Sequence, residues 1–262
     1  LQLAVALEEP QSHYHLNDVQ TKAEPAGDGF RLSGRKAVVI GGHPAGRLIV
    51  SARVSGERFD EQGIGLFLVD PSAQGVTRRV YPTIDGRKGC ELFLDNVQVA
   101  ADAVLGAPGQ AFAALRYQQG RAIAAQCAEA LGNMDEACKL TLDYLKTRKQ
   151  FGVPIGKFQV LQHRMVDMQT ELEQATSMAI LAATFADGED NDDRRRVLAA
   201  AKYICTRAGR KIAEEAIQLH GGIGMTWEYN LAHHAKRLVM IGHEFGDDDH
   251  HLQVFAGLMQ VA

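Results

Sequence analysis

The 262-residue sequence contains no apolar run of about 18 residues, the length a membrane-crossing helix needs, so no membrane span and no membrane partner are expected. Its opening stretch, LQLAVALEEP, lacks a basic leading segment and a small-residue cleavage site, which argues against a secretory signal. It also lacks an initiating Met, which reads as the cut edge of a longer protein. Neither sign of charge is in surplus. The 28 Lys+Arg face 32 Asp+Glu, a net of −4, whereas a dedicated nucleic-acid binder carries a basic excess. No CxxC pair occurs. Cys90, Cys127, Cys138 and Cys205 stand apart among apolar neighbours, the pattern of buried thiols in a reducing, cytoplasmic setting. Repeats and low-complexity tracts are absent too. With 46% hydrophobic and 23% charged residues, the chain is expected to fold around a sizeable core.

What remains divides into two textures. Residues 1–105 read as β structure. Short apolar runs, Lys36–Ile40, Arg47–Ser51 and Gly65–Val69, alternate with turn formers at Asp28-Gly29, Ser33-Gly34, Gly41-Gly42, Asp70-Pro71 and Asp85-Gly86. No helical pattern separates the runs, so an antiparallel sandwich or barrel is expected. Residues 106–262 read as long helices. Leu161, Met165, Met168, Leu172, Ala175, Ala179 and Ala182 step by four and three, one apolar stripe of a bundle helix. After a break at 188–193, with Asp192 or Asp193 as the expected cap, a second stripe follows. It runs through Ala201, Ile204, Ala208, Ile212, Ala216 and Leu219 and stops at Gly221-Gly222. A last helix should run from near Trp227 towards Phe255, interrupted at Gly246. The fold class is therefore α+β multidomain, a β domain followed by a four-helix bundle.

Three segments could carry chemistry. TRKQFGVPIGKFQ, residues 147–159, joins two expected helices. Arg148 and Lys149 sit at a helix C-terminus, where the dipole favours cations, and Phe151 offers a flat apolar face. The segment suits a nucleotide diphosphate, or is simply a basic helix end with a Gly-Pro turn. QLHGGIG, residues 218–224, offers glycine N–H groups to an anion, or merely ends a helix. The acidic and histidine-rich stretch His243–His251 invites a metal reading. However, consecutive aspartates project in different directions on a helix, so a capping or solvated segment is the better reading and no metal is expected.

Taken together, the first two segments closely resemble the acyl-CoA dehydrogenase family. Gly29–Lys36 resembles that family's approach to its flavin-facing strands, Asp95–Val99 its strand leading into the bundle, and Leu3–Pro10 its lead-in to the β domain. The resemblance covers nearly the whole chain. It implies the family's middle β domain and C-terminal helical bundle, with the family's N-terminal helical domain absent from this chain. It further implies FAD as cofactor, an acyl-CoA thioester as substrate oxidised at Cα–Cβ, and an electron-transfer flavoprotein as acceptor. The family's sites need a homo- or hetero-oligomer, a dimer or a dimer of dimers. By motif match Arg148 and Gln150 would approach the FAD pyrophosphate, Phe151 would pack near the adenosine, and Gln159 would lie in the same interface. Gln218, Gly221 and Gly222 would meet the other end of the ADP moiety.

The sequence departs from that pattern where the chemistry happens. The family's base is a glutamate in a Tyr-Glu-Gly-Thr stretch, and aligning on Ala235-Lys236 puts it at Gly242. Glu244 is two residues off and is the weak candidate for the base. The other position used by relatives falls in Tyr117–Ala125, which has no carboxylate; Glu129 follows one or two turns later. The usual Thr-Glu-Pro-Gly-x-Gly-Ser turn reads Glu8–Tyr14 here, and the usual Trp-Ile-Thr strand reads Val38–Ile40. With the ending Phe245–Leu252, these changes resemble the smaller subunits of heteromeric acyl-CoA dehydrogenases, which act beside a larger subunit on unusual substrates such as dicarboxylic or steroid-derived acyl-CoAs, and the resemblance points to fatty acid or steroid side-chain degradation. Three readings follow: a dehydrogenase subunit, a non-catalytic partner that contributes FAD contacts, or a flavin monooxygenase or oxidase on the same fold. Without the family's first domain the chain is expected to hold FAD weakly.

Overall fold

The computed structural model describes residues 1–259, which form two compact units, Leu1–Gln118 and the chain from Gln119 onward. The first unit is built on one eight-stranded sheet. Its strands are β1 (Leu3–Ala6), β2 (Lys22–Ala26), β3 (Gly29–Ile40), β4 (Arg47–Arg53), β5 (Ile64–Val69), β6 (Val76–Pro82), β7 (Lys88–Val99) and β8 (Val104–Leu105). The spatial order is β6-β7-β3-β2-β4-β5-β8, with β1 paired to β4. Most pairs are antiparallel, as the apolar runs and turns predict; β1 and β2 each run parallel to β4. Alternate residues of the strands, such as Leu48, Val50 and Ala52 of β4, turn inward. They join Leu32, Phe67, Leu92 and Val97 in one apolar core. Cys90 lies in this core, and all four cysteines are buried free thiols.

One expected turn is not a turn. Ser33-Gly34 lies inside β3, at a shift in the β3–β7 register between Leu32 and Gly34. The glycine is there because Thr21 crosses it: a Cβ on Gly34 would stand 2.6 Å from the Thr21 Cα. A second shift falls between Lys36 and Val39, and it leaves Val38, a β-branched residue, at φ 52.

A buried ion pair ties the segment after β1 to this sheet. The Lys36 ammonium donates to Glu9 Oε1 at 2.7 Å, Ser51 Oγ at 2.9 Å and the Leu7 carbonyl at 3.2 Å. Glu9 also accepts from the backbone N–H groups of Gln20 and Thr21 and from Gln11 Nε2. Burial lowers the Lys36 pKa to about 8 despite the opposing charge of Glu9. Burial disfavours the Glu9 carboxylate too, but the Lys36 charge and the hydrogen bonds outweigh it and hold that pKa below its usual value.

The second unit is helical. It takes most of α1 (Phe112–Thr147), then the two-residue strands β9 (Lys149–Gln150) and β10 (Val153–Pro154), then α2 (Gln159–Phe185), α3 (Asp192–His220), α4 (Leu231–Ile241) and α5 (Asp248–Met259). Three long helices are thus completed by a fourth that is split at 242–247, with Gly246 at φ 104 in the break. The α2 stripe packs as its spacing predicts: Met168, Leu172, Ala175, Ala179 and Ala182 are buried, with Leu161 and Met165 against the same core. On α3 the cap is Asn191 rather than Asp192 or Asp193; its side chain accepts from the Arg194 N–H at 2.9 Å. The two aspartates occupy the first turn instead, where their charge favours the helix dipole. Among the described residues no helix is long and apolar enough to cross a membrane.

The Glu9–Lys36 pair makes a measurable claim. Glu9→Ala strands a wholly buried ammonium and should cost about 3–5 kcal/mol, read from urea unfolding. Adding Lys36→Met should recover most of that loss. The contribution of Glu9 is present above its ordinary carboxyl value of 4.5 and is lost as pH falls through its lower folded value. A loss below about 1 kcal/mol for Glu9→Ala would mean the pair does not anchor this loop.

Candidate functional site

The first diphosphate-type segment begins where α1 ends. The Arg148 N–H donates to the Tyr144 carbonyl at 2.8 Å, closing the last helical turn, and the Ile155 N–H returns to the Arg148 carbonyl at 2.8 Å. Between them β9 and β10 form a tight hairpin, with Gln150 opposite Val153. Its two turn residues, Phe151 at φ 54 and Gly152 at φ 81, are both left-handed, as a type I′ turn requires. Glycine satisfies that demand at no cost; phenylalanine does not. Phe151 is nevertheless held there, 90% exposed, its ring edge-on to Phe158 at 6.0 Å. Gly156 is obligatory, since a Cβ would stand 2.8 Å from the Leu145 carbonyl oxygen. Phe158 precedes α2 without a side-chain cap, so the first N–H groups of α2, beginning at Gln159, lack the usual side-chain acceptor.

The second segment begins where α3 ends. Gly221 terminates the helix at φ 64, its N–H donating to the carbonyls of Gln218 and Ile217. Gly221–Met225 then makes a 3₁₀ turn. Gly224 is packed against Ile217 and His220, but a Cβ on Gly221 or Gly222 would meet nothing within 4 Å. The chain's own packing therefore leaves open space over these two glycines. The side chains of Arg148, Gln150, Gln159 and Gln218 are exposed, and none has a hydrogen-bond or ion-pair partner among the described residues. One cation, three amides and two uncovered glycines are the donor set a dinucleotide diphosphate takes.

Sequence reasoning passed over what joins the two segments. His220, buried at the end of α3, stacks on Tyr144 with ring centroids 4.4 Å apart and 25° between planes. Its Nδ1 donates to the Ala216 carbonyl at 2.8 Å, and Nε2 faces the Tyr229 hydroxyl at 3.3 Å. The signal was present: His220 continues the inward stripe four residues beyond Ala216.

The carboxylates singled out in the sequence converge elsewhere. The Arg237 guanidinium of α4 donates to Glu244 Oε1 at 2.8 Å and to Glu129 Oε2 at 2.7 Å, and Gln126 Nε2 donates to Glu244 at 2.8 Å. Burial disfavours the Arg237 cation, but these two carboxylates outweigh it and hold its pKa above the usual value. Both carboxylates are thus held as ion-pair partners of one guanidinium. Gly242 is buried, and a Cβ there would stand 3.1 Å from the Val239 carbonyl oxygen and 3.2 Å from Thr206 Cγ2. A glutamate would not enter that position without displacing its neighbours. In the acidic stretch Asp247 caps α5, accepting from the His250 N–H at 2.8 Å. His251 is buried against the Phe245 carbonyl at 2.9 Å, with burial pulling its pKa to about 4. Among the described residues no three His, Cys, Asp or Glu side chains are gathered to hold a metal ion.

The first unit contributes its own departures. His13 occupies a position where the resemblance expects glycine, and it keeps the left-handed backbone at φ 41, followed by Tyr14 at φ 70. Val38, where the resemblance expects tryptophan, is strained and 47% exposed.

Comparison with known proteins bears on both units. Residues 4–97 match the acyl-CoA dehydrogenase middle domain and residues 110–256 the acyl-CoA dehydrogenase C-terminal domain. A 3-(aryl)acrylate reductase of Clostridium sporogenes is 31% identical over 87% of this chain and 61% of its own length. A 3-sulfinopropanoyl-CoA desulfinase of Paraburkholderia xenovorans is 34% identical over 84% of this chain and 58% of its own length. The crystal structure of an acyl-CoA dehydrogenase from Geobacillus kaustophilus superposes with a TM-score of 0.91 at 25% identity, covering 98% of this chain and 68% of that one. The chain thus spans about three fifths of the length of the curated relatives it matches.

The strain at Phe151 separates stability from ligand binding. Phe151→Gly relieves a left-handed non-glycine residue and should leave the thermal midpoint unchanged or raise it, by up to about 1 kcal/mol of stability. A clear loss of stability by calorimetry would show instead that the exposed ring holds the hairpin together.

Proposed function

Because the chain belongs to the acyl-CoA dehydrogenase family, we propose that it acts as one subunit of an FAD-dependent acyl-CoA dehydrogenase. The reaction is α,β-dehydrogenation of an acyl-CoA thioester in the cytoplasm, with an electron-transfer flavoprotein as acceptor. The observation that carries the reading is the donor set built on α1, α2 and α3: unengaged Arg148, Gln150, Gln159 and Gln218 beside the uncovered Gly221 and Gly222. Arg148 and Gln150 hold the pyrophosphate, and the guanidinium makes the charge-assisted bonds. Phe151 supplies an apolar face for the adenosine, and Gln218 presents its amide, beside the uncovered backbone of Gly221 and Gly222, to the other end of the ADP. FAD supplies the hydride acceptor when bound. Since the family completes such a site across subunits, the working form is a homo- or hetero-oligomer, a dimer or a dimer of dimers, with 1–105 as its β half and 106–262 as its helical half.

A second reading shares the cofactor contacts and omits the base: a non-catalytic partner subunit of a heteromeric enzyme. What favours it is the carboxylate arrangement. A side chain at Gly242 would press on the Val239 carbonyl and Thr206, and Glu244, the base this chain would have to use, is paired to Arg237.

Both readings require FAD binding, measured by titrating the purified chain and following flavin fluorescence. Arg148→Ala should weaken the affinity about tenfold or more, the worth of hydrogen bonds to a charged group, while helicity stays unchanged. Unaltered affinity would contradict the placement of the pyrophosphate. The readings divide on turnover. If the chain is catalytic, acyl-CoA bleaches its flavin band and Glu244→Gln abolishes the bleaching. If bleaching appears only on co-expression with a genomic neighbour and survives Glu244→Gln, the chain is the partner.

A further inference from the structure

The two segments assigned to the FAD diphosphate are about seventy residues apart, yet a single side chain, next to the second, stacks on the helix that leads into the first. Tyr144 sits one turn before Arg148 and holds the Arg148 N–H through its carbonyl. His220 immediately precedes Gly221. The imidazole is stacked on the Tyr144 ring and is 3% exposed. A shift of that ring displaces the end of α1 and the start of the glycine turn together. We propose that His220 is the positioning residue that keeps Arg148–Gly152 and Gly221–Met225 in one register while it is neutral, and that it releases both when it takes a proton. The inference rests on the reading that these two segments hold the diphosphate; the coupling itself does not depend on a ligand.

The hydrogen bonds define the neutral form. A carbonyl only accepts, so the Ala216 oxygen requires the proton on Nδ1. Nε2 then carries the lone pair and accepts from the Tyr229 hydroxyl. A second proton would go to Nε2, where it removes that acceptor, so the Tyr229 hydroxyl must turn its own proton elsewhere and accept instead. It would also place a cation in a nearly sealed site. The groups facing the ring are Tyr144 and the Leu140 carbonyl from α1, Ala216 from α3 itself, and Tyr229 from the segment before α4. Asp143 on α1 is a charge acting on Tyr229, and among the described residues no carboxylate pairs with the imidazole itself. Burial lowers the His220 pKa from 6.5, against the weaker pull of the Ala216 and Leu140 carbonyls. The sign is therefore fixed. The stabilisation from neutral His220 is complete above the ordinary imidazole value and is lost as pH falls towards the lower folded value.

Amide hydrogen exchange on the full chain tests this directly, with peptides covering 148–152 and 221–225 followed from about pH 8 to about pH 5. After correction for intrinsic rates, protection of both segments should fall together, by up to about tenfold per pH unit, as one linked proton requires. In His220→Phe, which keeps a ring against Tyr144 but cannot titrate, the pH step should vanish from both segments. Tyr229→Phe, which removes only the hydroxyl, should shift the step and serves as the second variant should His220→Phe fold poorly. A response in one segment alone, or a step that persists in His220→Phe, overturns the proposal. FAD affinity measured over the same range should fall in parallel with protection. If the wild-type chain binds no FAD at any pH while the coupled step is present, the cofactor reading fails and the latch stands.

Discussion

The helical unit depends on how little room there is around α3. That helix packs against α2, α4 and α5, so its inward positions are Ala201, Ala208, Gly209, Ala213 and Ala216 with Cys205 and Ile212 between them. Small side chains let neighbouring backbones approach, and close approach brings helix ends into the interior, where their last carbonyls lose water. Cations on α3 meet that need. Arg194 donates to the carbonyls of Phe185 and Ala186 at the end of α2, and the buried Lys202 donates to the Ile241 carbonyl at the end of α4. Even the space for Arg194 is arranged by a neighbour, since a Cβ on Gly120 of α1 would stand 2.7 Å from its guanidinium. The inward charges on α3 are thus caps for other helices.

The sheet unit meets a similar problem with different means. The segment between β1 and β2 has no secondary structure of its own, so its backbone N–H groups need acceptors. Glu9 accepts from two of them, at Gln20 and Thr21, and Lys36 neutralises the carboxylate at the core. His13 and Tyr14 keep left-handed backbone without glycine, and Val38 keeps it without a large ring. These strained, exposed positions are carried by a scaffold that over-determines them.

Periodic features were legible in the sequence because they are local. The stripes of α2 and α3, the strand runs and the glycine stop at 221 all follow from spacing. The misreadings share a cause in tertiary neighbours. Ser33-Gly34 has turn chemistry, but its glycine answers to Thr21 crossing the strand. Asn191 outcompetes Asp192 and Asp193 as cap because its side chain reaches the Arg194 N–H, a matter of one residue that spacing does not resolve. The type I′ hairpin at Phe151 was invisible, since phenylalanine is a poor residue for a left-handed turn. The candidate site divides in the same way. Its motif residues were legible one by one, whereas the contact between Tyr144 and His220 is not written in either segment.

The convergence of Glu129 and Glu244 on Arg237 bears on how such a site is organised. Holding a diphosphate takes fixed donors on helix ends, and those donors come from local motifs that survive as long as the bundle packs. Abstracting a proton takes a carboxylate whose charge is opposed by its surroundings. Here the packing pairs the carboxylates instead. It spends one guanidinium on two carboxylates, joining α1, α4 and the segment before α5, and it closes over Gly242. The two tasks therefore make opposite electrostatic demands on one bundle, and a chain can retain the first after its packing has given up the second. The motifs at 147–159 and 218–224 bear on the proposed cofactor contact, and catalysis has to be read from the environment of the carboxylates.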